Sequence, residues 1–349
     1  MIDDFTWRDA GRTVVFRRGG AGAAVEVLRE QGVEEFELLS TQRALGEVSA
    51  PEGANPLVDA ASGVHEARSG QVPAAAAALL DALSPPYLHR EGARAPPLVA
   101  LGGGRVVDVT KAVASVGGQE VVAIPTTMSG AEMTGSHRLP AGAEDRARGP
   151  VRPWLVIADP EAMTSQPEEH LRASSMNALA HGADTLYLPL SNPVSEMTAL
   201  RGAELIATAL DEAREGRDRV ALALGSILCG YAIDSAGMGL HHLVCQTLVR
   251  LCGTPHAETN AAVLPHSTAL LADRAPEVFE RLAEALGTDR ASLATRIEQL
   301  GRPPRLSEVG GDASKLGEAI DAMLKRSELQ RVPRPPNRAE LRELVEAAW

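Results

Sequence analysis

The chain has 349 residues, a formal net charge of −12 and only 3% aromatic side chains. That length is more than one compact core serves well and points to two domains built on Ala, Val and Leu. The acidity leaves no phosphate counterion release to exploit, which excludes nucleic acid as a partner, and no run of about 18 uninterrupted apolar residues exists to cross a membrane.

From the N-terminus, short β-like runs alternate with helical ones. TVVFRR (13–18) predicts a strand, AAVEVLREQG (23–32) a helix stopped by Gly32, and EFELLS (35–40) a second strand. PAAAAALLDAL (73–83) reads as helix, PPLVALGGG (96–104) as a strand running into glycines, VVDVTKAVASV (106–116) as helix and EVVAIPTT (120–127) as strand. HRLPAGAEDRARGPVRP (137–153) is expected to be an exposed loop or β-hairpin, and WLVIADP (154–160) a last strand ended by Pro160. This alternation predicts a doubly wound parallel sheet. Beyond it the β signals fade and long helix-periodic stretches take over. The expectation is an α/β dinucleotide-binding domain over 1–160 and an all-helical catalytic domain over 161–349. The acidic opening MIDDFTWRDAGR has no apolar h-region, so no signal peptide is read there. Cys229, Cys245 and Cys252 follow no disulfide-framework spacing, which fits a reduced, cytoplasmic setting.

In VALGGGRVVDVTKA a strand meets Gly102, Gly103 and Gly104, and a helix begins almost at once. Glycines let a ligand approach the backbone, and free N–H groups at a helix start attract phosphate. A tight turn needing positive φ explains the same glycines without a ligand. AIPTTMSGAEMT repeats the arrangement with Thr126, Thr127, Ser129 and Gly130 at a strand's C-terminal edge, where α/β sheets bind ligands. Two such loops favour a dinucleotide. After the second strand, Ser40 and Thr41 stand where an acid often meets the ribose 2′-hydroxyl, with Arg43 nearby. With no acid there, NADPH is expected to be tolerated beside NADH.

In MNALAHGADTLY, Asn177, His181 and Asp184 fall on one helix face. In HHLVCQTLVRLCGTPHAETN, His242 closes a glycine-spaced run and His256 follows Pro255 after a turn. Two helices joined there bring both rings towards His181. Three neutral imidazoles suit Zn²⁺ or Fe²⁺. The fourth position is Asn177, whose amide oxygen is uncharged and a poor replacement for a carboxylate, so a divalent metal is doubtful. Metal ligation, metal-free proton donation and plain packing all remain readings of these histidines.

At these residues the sequence resembles the iron-containing alcohol dehydrogenase superfamily, most closely its maleylacetate reductase branch. GGG with D-x-x-K-A, AIPTT-x-x-G-x-E-MT, VIADP, MNA-x-AH, GLHH-x-x-C, PHAET and the terminal AAW recur in that order over nearly the whole chain. The resemblance implies a dehydroquinate synthase-like two-domain fold, an NADH or NADPH cofactor whose site includes Asp108, a small-molecule substrate and a homodimer. Metal-dependent members of the superfamily use an Asp and three His, matched here by Asn177, His181, His242 and His256. The branch reduces the carbon–carbon double bond of maleylacetate to give 3-oxoadipate. It usually carries His where Gln246 and Asn260 stand. The expected chemistry is hydride transfer with His242 and His256 as hydrogen donors, His181 and Asn177 orienting them, and Arg138 or Arg250 gripping a carboxylate. Tyr187 and Tyr231 are weaker donor candidates. The rivals are a metal-dependent aldehyde reductase and a non-redox biosynthetic enzyme on the same fold.

Overall fold

In the computed structural model, which describes residues 5–9, 11–47, 55–83, 95–213 and 215–349, the apolar runs of the first part become strands of one sheet. The elements are β1 (Phe5–Asp9), β2 (Arg12–Phe16), α1 (Ala24–Glu30), β3 (Glu37–Ser40), α2 (Gln42–Glu47), α3 (Pro56–Ala60), β4 (Gly63–Glu66) and α4 (Val72–Leu83). They continue with β5 (Leu98–Gly102), α5 (Gly104–Gly117), β6 (Val121–Pro125), β7 (Leu155–Ala158) and α6 (Pro160–Met163). The spatial order is β1-β2-β7-β6-β5-β3-β4, with β1 antiparallel to β2 and every other pair parallel. Successive residues along β5 and β6 face opposite cores. Ala100 and Ala123 pack with α4 and α5, while Leu101 and Ile124 pack with Phe36, Val27 and Leu28. Burial on both faces explains why these strands read as continuous apolar runs.

From β3 the chain moves outward to β4, then returns to the other side of β3 as β5. The order reverses between β3 and β5, so a crevice opens at their C-terminal ends, which carry Ser40 and Gly102.

Two strands escaped the sequence reading. β4 is an edge strand whose residues are alternately half-buried and exposed, and β1 mixes charged with aromatic residues. The hairpin alternative for 137–153 does not form. Pro140, Pro150 and Pro153 remove ladder donors, and a single 3-10 turn, Glu144–Arg146, is the only regular structure there. Residues 1–4 of the acidic opening lie outside the described residues.

The chain divides into two compact units, Met1–Gln166 and Pro167–Trp349. The residue-160 boundary read from sequence falls at the start of α6, which stays with the first unit. The described secondary structure of the second unit is helical throughout. It comprises α7 (Glu168–Tyr187), α8 (Pro193–Asp211), α9 (Arg219–Ala236), α10 (Leu240–Leu251), α11 (His256–Ala272), α12 (Pro276–Ala285), α13 (Leu293–Gly301), α14 (Leu316–Leu324) and α15 (Arg338–Ala348), with short 3-10 turns between. α7 is its centre, packed against α8, α9 and α11 and buried at nearly every position from Leu171 onward. α9 is long and apolar enough to cross a membrane by composition, but 67% of it is buried inside the protein, where it lies against α7 and α8.

Candidate active site

α7 carries Asn177, His181 and Asp184 on one stripe, all buried. The next relevant helix, α10, opens at Gly239 with no side chain of its own to cap it. Its free N–H groups are met from α7 instead. Asp184 Oδ2 accepts from the Gly239 and His242 amides at 3.0 and 3.2 Å, and Oδ1 from the His241 amide at 3.3 Å. The Tyr187 hydroxyl accepts from the Leu240 amide at 2.6 Å and donates to Asp184 Oδ1 at 2.5 Å. An anion at a helix start also meets the positive end of the dipole. Gly239 is required by this close approach, because a Cβ there would strike the Tyr187 hydroxyl and Asp184.

The same carboxylate holds the His242 ring, with Asp184 Oδ2 2.7 Å from Nδ1. A carboxylate only accepts, so Nδ1 carries a proton and Nε2 is turned away. Nε2 is buried with no hydrogen-bond partner. Burial alone would raise the Asp184 pKa. The bond from His242, the neighbouring imidazoles and Tyr187 outweigh it and hold the carboxyl well below the usual range. Tyr187, buried beside that charge, is pushed well above an ordinary phenol, so it serves as a cap rather than a donor to substrate.

His181 stacks on His242, ring centroids 4.7 Å apart and planes 9° from parallel. Burial, and then His242, hold its pKa well below the usual value, so it is neutral. His241 meets His242 edge-on at 5.0 Å. Burial first, then His242, lower its pKa to about 3. His256, the first residue of α11, is exposed, with Nε2 3.4 Å from Asn260 Nδ2.

These rings do not fit a shared divalent ion. Imidazole lone pairs lie in the ring plane, and two stacked, nearly parallel rings cannot both aim at one point. Among the described residues no group of three or more His, Cys, Asp or Glu is arranged to hold a metal ion. Asn177 adds no charge to compensate.

In the first unit, the glycines after β5 are demanded by the neighbouring loop. A Cβ on Gly103 would come within 2.9 Å of the Thr127 side chain, and one on Gly104 within 2.5 Å of Ser129. Thr127 Oγ1 accepts from the Gly104 amide at 3.3 Å. α5 starts at Gly103 without a side-chain cap, at the C-terminal edge of the sheet beside the order reversal. A helix start whose N-cap glycine has no side chain, with the Thr127 hydroxyl beside its first amide, fits a dinucleotide's diphosphate. Thr126 is fully buried and its hydroxyl has no partner.

Other predicted contacts have structural work. The Ser40 hydroxyl donates to Leu101 O at 2.8 Å, tying β3 to β5. Thr41 Oγ1 accepts from the Ala44 amide at 3.3 Å. Asp108 pairs with the buried Lys111 at 2.8 Å. Lys111 also donates to the main-chain oxygens of Ala131, Thr134 and Ser136, which pins the loop after β6.

The two arginines proposed for carboxylate binding have these surroundings within their own units. Arg138 belongs to the first unit and bonds Gln71. Arg250 is exposed in the last turn of α10, more than two turns beyond His242, where a cation suits the helix dipole. Sequence reasoning missed Arg326. Its Nη2 donates to Gln246 Oε1 at 3.1 Å, and Gln246 lies one turn after His242 on α10. Nothing in sequence links positions so far apart. It also missed Glu132, fully buried with Oε1 unpartnered, although the E of G-x-E-MT was visible.

With this geometry in hand, two family models account for nearly the whole chain: iron-containing alcohol dehydrogenase over residues 15–167, and the C-terminal part of the Fe-containing alcohol dehydrogenase family over 172–349. The chain is similar to a maleylacetate reductase of Burkholderia cepacia, 36% identical over 259 residues, covering 72% of this chain and 73% of that one. A maleylacetate reductase from a Rhizobium species is 30% identical over 357 residues, covering 100% of this chain and 98% of its own. The crystal structure of maleylacetate reductase from Agrobacterium tumefaciens superimposes with a TM-score of 0.81 at 29% identity, covering 100% of this chain and 99% of the other.

Proposed function

The chain belongs to the iron-containing alcohol dehydrogenase family, and on that premise we propose that it is an NAD(P)H-dependent reductase of a small unsaturated or carbonyl-bearing carboxylate, with maleylacetate the first substrate to test. The reading is carried by the Asp184–His242 pair, a buried imidazole with one nitrogen fixed by a carboxylate and the other unpartnered. That is the arrangement of an acid–base imidazole held in one direction, which donates from Nε2 once the ring is doubly protonated.

The nicotinamide, when bound with its diphosphate at the start of α5, supplies the hydride. On a double bond conjugated to a carbonyl, the accepting carbon gains the electron pair and negative charge moves to the carbonyl oxygen. His242, protonated on Nε2, offers a hydrogen bond to that developing charge and returns its proton as the product forms. Asp184 stabilises the imidazolium before the transfer and holds the ring through it. His181, stacked and neutral, keeps the imidazole plane fixed without adding a second charge. No step is routed through a metal.

The last residue of β3, Ser40, and the three that follow, Thr41, Gln42 and Arg43, include no acid to repel a 2′-phosphate, so both NADH and NADPH are accepted in this proposal. A cytoplasmic homodimer completes it, and the three buried free cysteines suit a reducing compartment. The deciding experiment follows absorbance of NADH, then NADPH, with maleylacetate in EDTA. Turnover supports the reading, and no oxidation of either cofactor refutes it.

A further inference from the structure

A carboxylate substrate needs a cation near His242, and α10 carries the link to one. Gln246 stands one turn after His242, so the two side chains are neighbours on the helix surface. Its amide is held at both ends. Nε2 donates to Met238 Sδ at 2.8 Å, in the segment that leads into α10, and Oε1 accepts from Arg326 Nη2 at 3.1 Å. A guanidinium only donates, so this bond settles which end of the amide is oxygen.

Arg326 directly precedes the 3-10 turn Ser327–Arg331. The same Nη2 donates to Glu328 Oε1 at 2.5 Å. That hydrogen bond is the main cause that lowers the Glu328 pKa to about 2, so the carboxylate stays ionised and holds the guanidinium in place. The two contacts occupy both N–H groups of Nη2. Among the described residues Nε and Nη1 bond nothing, and 24% of the side chain is exposed. Charge-assisted donors are therefore left for a ligand.

The far end of the turn brings a second guanidinium to the same segment. A Cβ built on Gly237, the neighbour of Met238, would lie 3.5 Å from Arg331 Nη1. Arg331 is exposed. Glu328 offsets one of the two cations, so the three groups together keep an excess of positive charge in a chain whose net charge is −12.

We propose that Arg326, aided by Arg331, binds a carboxylate of the substrate beside His242, with Gln246 and Glu328 fixing the guanidinium so that Nη1 and Nε face the ligand. The identity of the substrate rests on the reductase reading; the affinity for a carboxylate does not.

Steady-state kinetics of the full chain with maleylacetate and with its dimethyl ester test this. The ester keeps the conjugated carbonyl and loses both charges. Arg326→Gln is expected to raise KM for maleylacetate by about tenfold or more, while kcat, the dissociation constant for NADH and kcat/KM for the ester stay unchanged. Arg331→Gln, at an exposed position, is expected to raise KM for the acid alone by about threefold, an effect that fades at high salt. Equal losses on acid and ester in Arg326→Gln mark a packing role and overturn the proposal, and so does a wild-type KM for the acid. If that variant fails to fold, Arg331→Gln decides by the same comparison of acid with ester. Failure of the reductase reading shows separately, as a wild type that oxidises neither cofactor with maleylacetate. Calorimetry with adipate then decides: binding about tenfold weaker in Arg326→Gln than in wild type upholds the carboxylate site, and equal binding or none overturns it.

Discussion

Asp184 Oδ2 lies 2.7 Å from His242 Nδ1, and the same carboxylate collects the amides of Gly239, His241 and His242. One side chain of α7 thus caps α10 and aims its histidine. The two jobs are separable by substitution. Asp184→Asn keeps an accepting oxygen but turns an NH₂ towards groups that donate, so the His242 tautomer is disturbed. A loss of roughly 10²–10⁴-fold in kcat is expected, with cofactor affinity little changed. Asp184→Ala also orphans buried amides at about 1–3 kcal/mol each, so its melting temperature falls with its activity. Wild-type turnover in the Asn variant, with its fold checked by circular dichroism, contradicts the assignment.

Chelation separates this chemistry from metal-assisted reduction. Because His181 and His242 stack in parallel, extended dialysis against EDTA or dipicolinate is expected to leave kcat and KM unchanged. Added Zn²⁺ or Fe²⁺ restores nothing, since nothing was lost. The check is elemental analysis of untagged protein beside the kinetics. Activity that tracks metal content sinks the metal-free reading and favours the aldehyde-reducing rival.

The strands of the parallel sheet were legible because burial on both faces makes their sequences uniformly apolar. β4 was not, since an edge strand reading GVHE has no such run. The stripe of Asn177, His181 and Asp184 was visible from helical spacing, but the part Asp184 plays was not. It depends on the bare start of α10, more than fifty residues on, which periodicity cannot place. Ser40 and Thr41 were legible as hydroxyls at a strand end, yet their local partners, Leu101 O and the Ala44 amide, are set by the fold. Asn260 looked like a lost imidazole and proves to be the link between His241 and His256.

The glycines after β5 give a prediction specific to cofactor binding. A Cβ on Gly104 would lie 2.5 Å from the Ser129 side chain, so Gly104→Ala pushes the loop after β6 away from the start of α5. NADH affinity should fall by about tenfold or more, equivalent to about 1.4 kcal/mol, while the His242 environment in the second unit is untouched. Fluorescence titration of NADH measures the first effect, and histidine resonances report the second. Unchanged NADH affinity removes the α5 start from the cofactor site.

Glu132 makes a prediction about pH. Burial raises its pKa from 4.5 to about 7, against the opposing pull of its backbone hydrogen bond and Lys111. The folded chain therefore binds this proton more tightly than the unfolded one. Its stabilising effect is complete below about pH 4.5 and is lost as pH rises to about 7, by about 3 kcal/mol for that shift. The opposite trend from Glu168, whose pKa is lowered to about 2 chiefly by the hydrogen bond from Arg217, operates only below about pH 4.5. The two windows do not overlap. Glu132→Gln keeps the shape and removes the titration, so its denaturant midpoint should vary less than wild type between about pH 5 and 7. Urea unfolding at several pH values measures this, and parallel profiles for the two proteins would show that Glu132 ionises as an ordinary carboxylate.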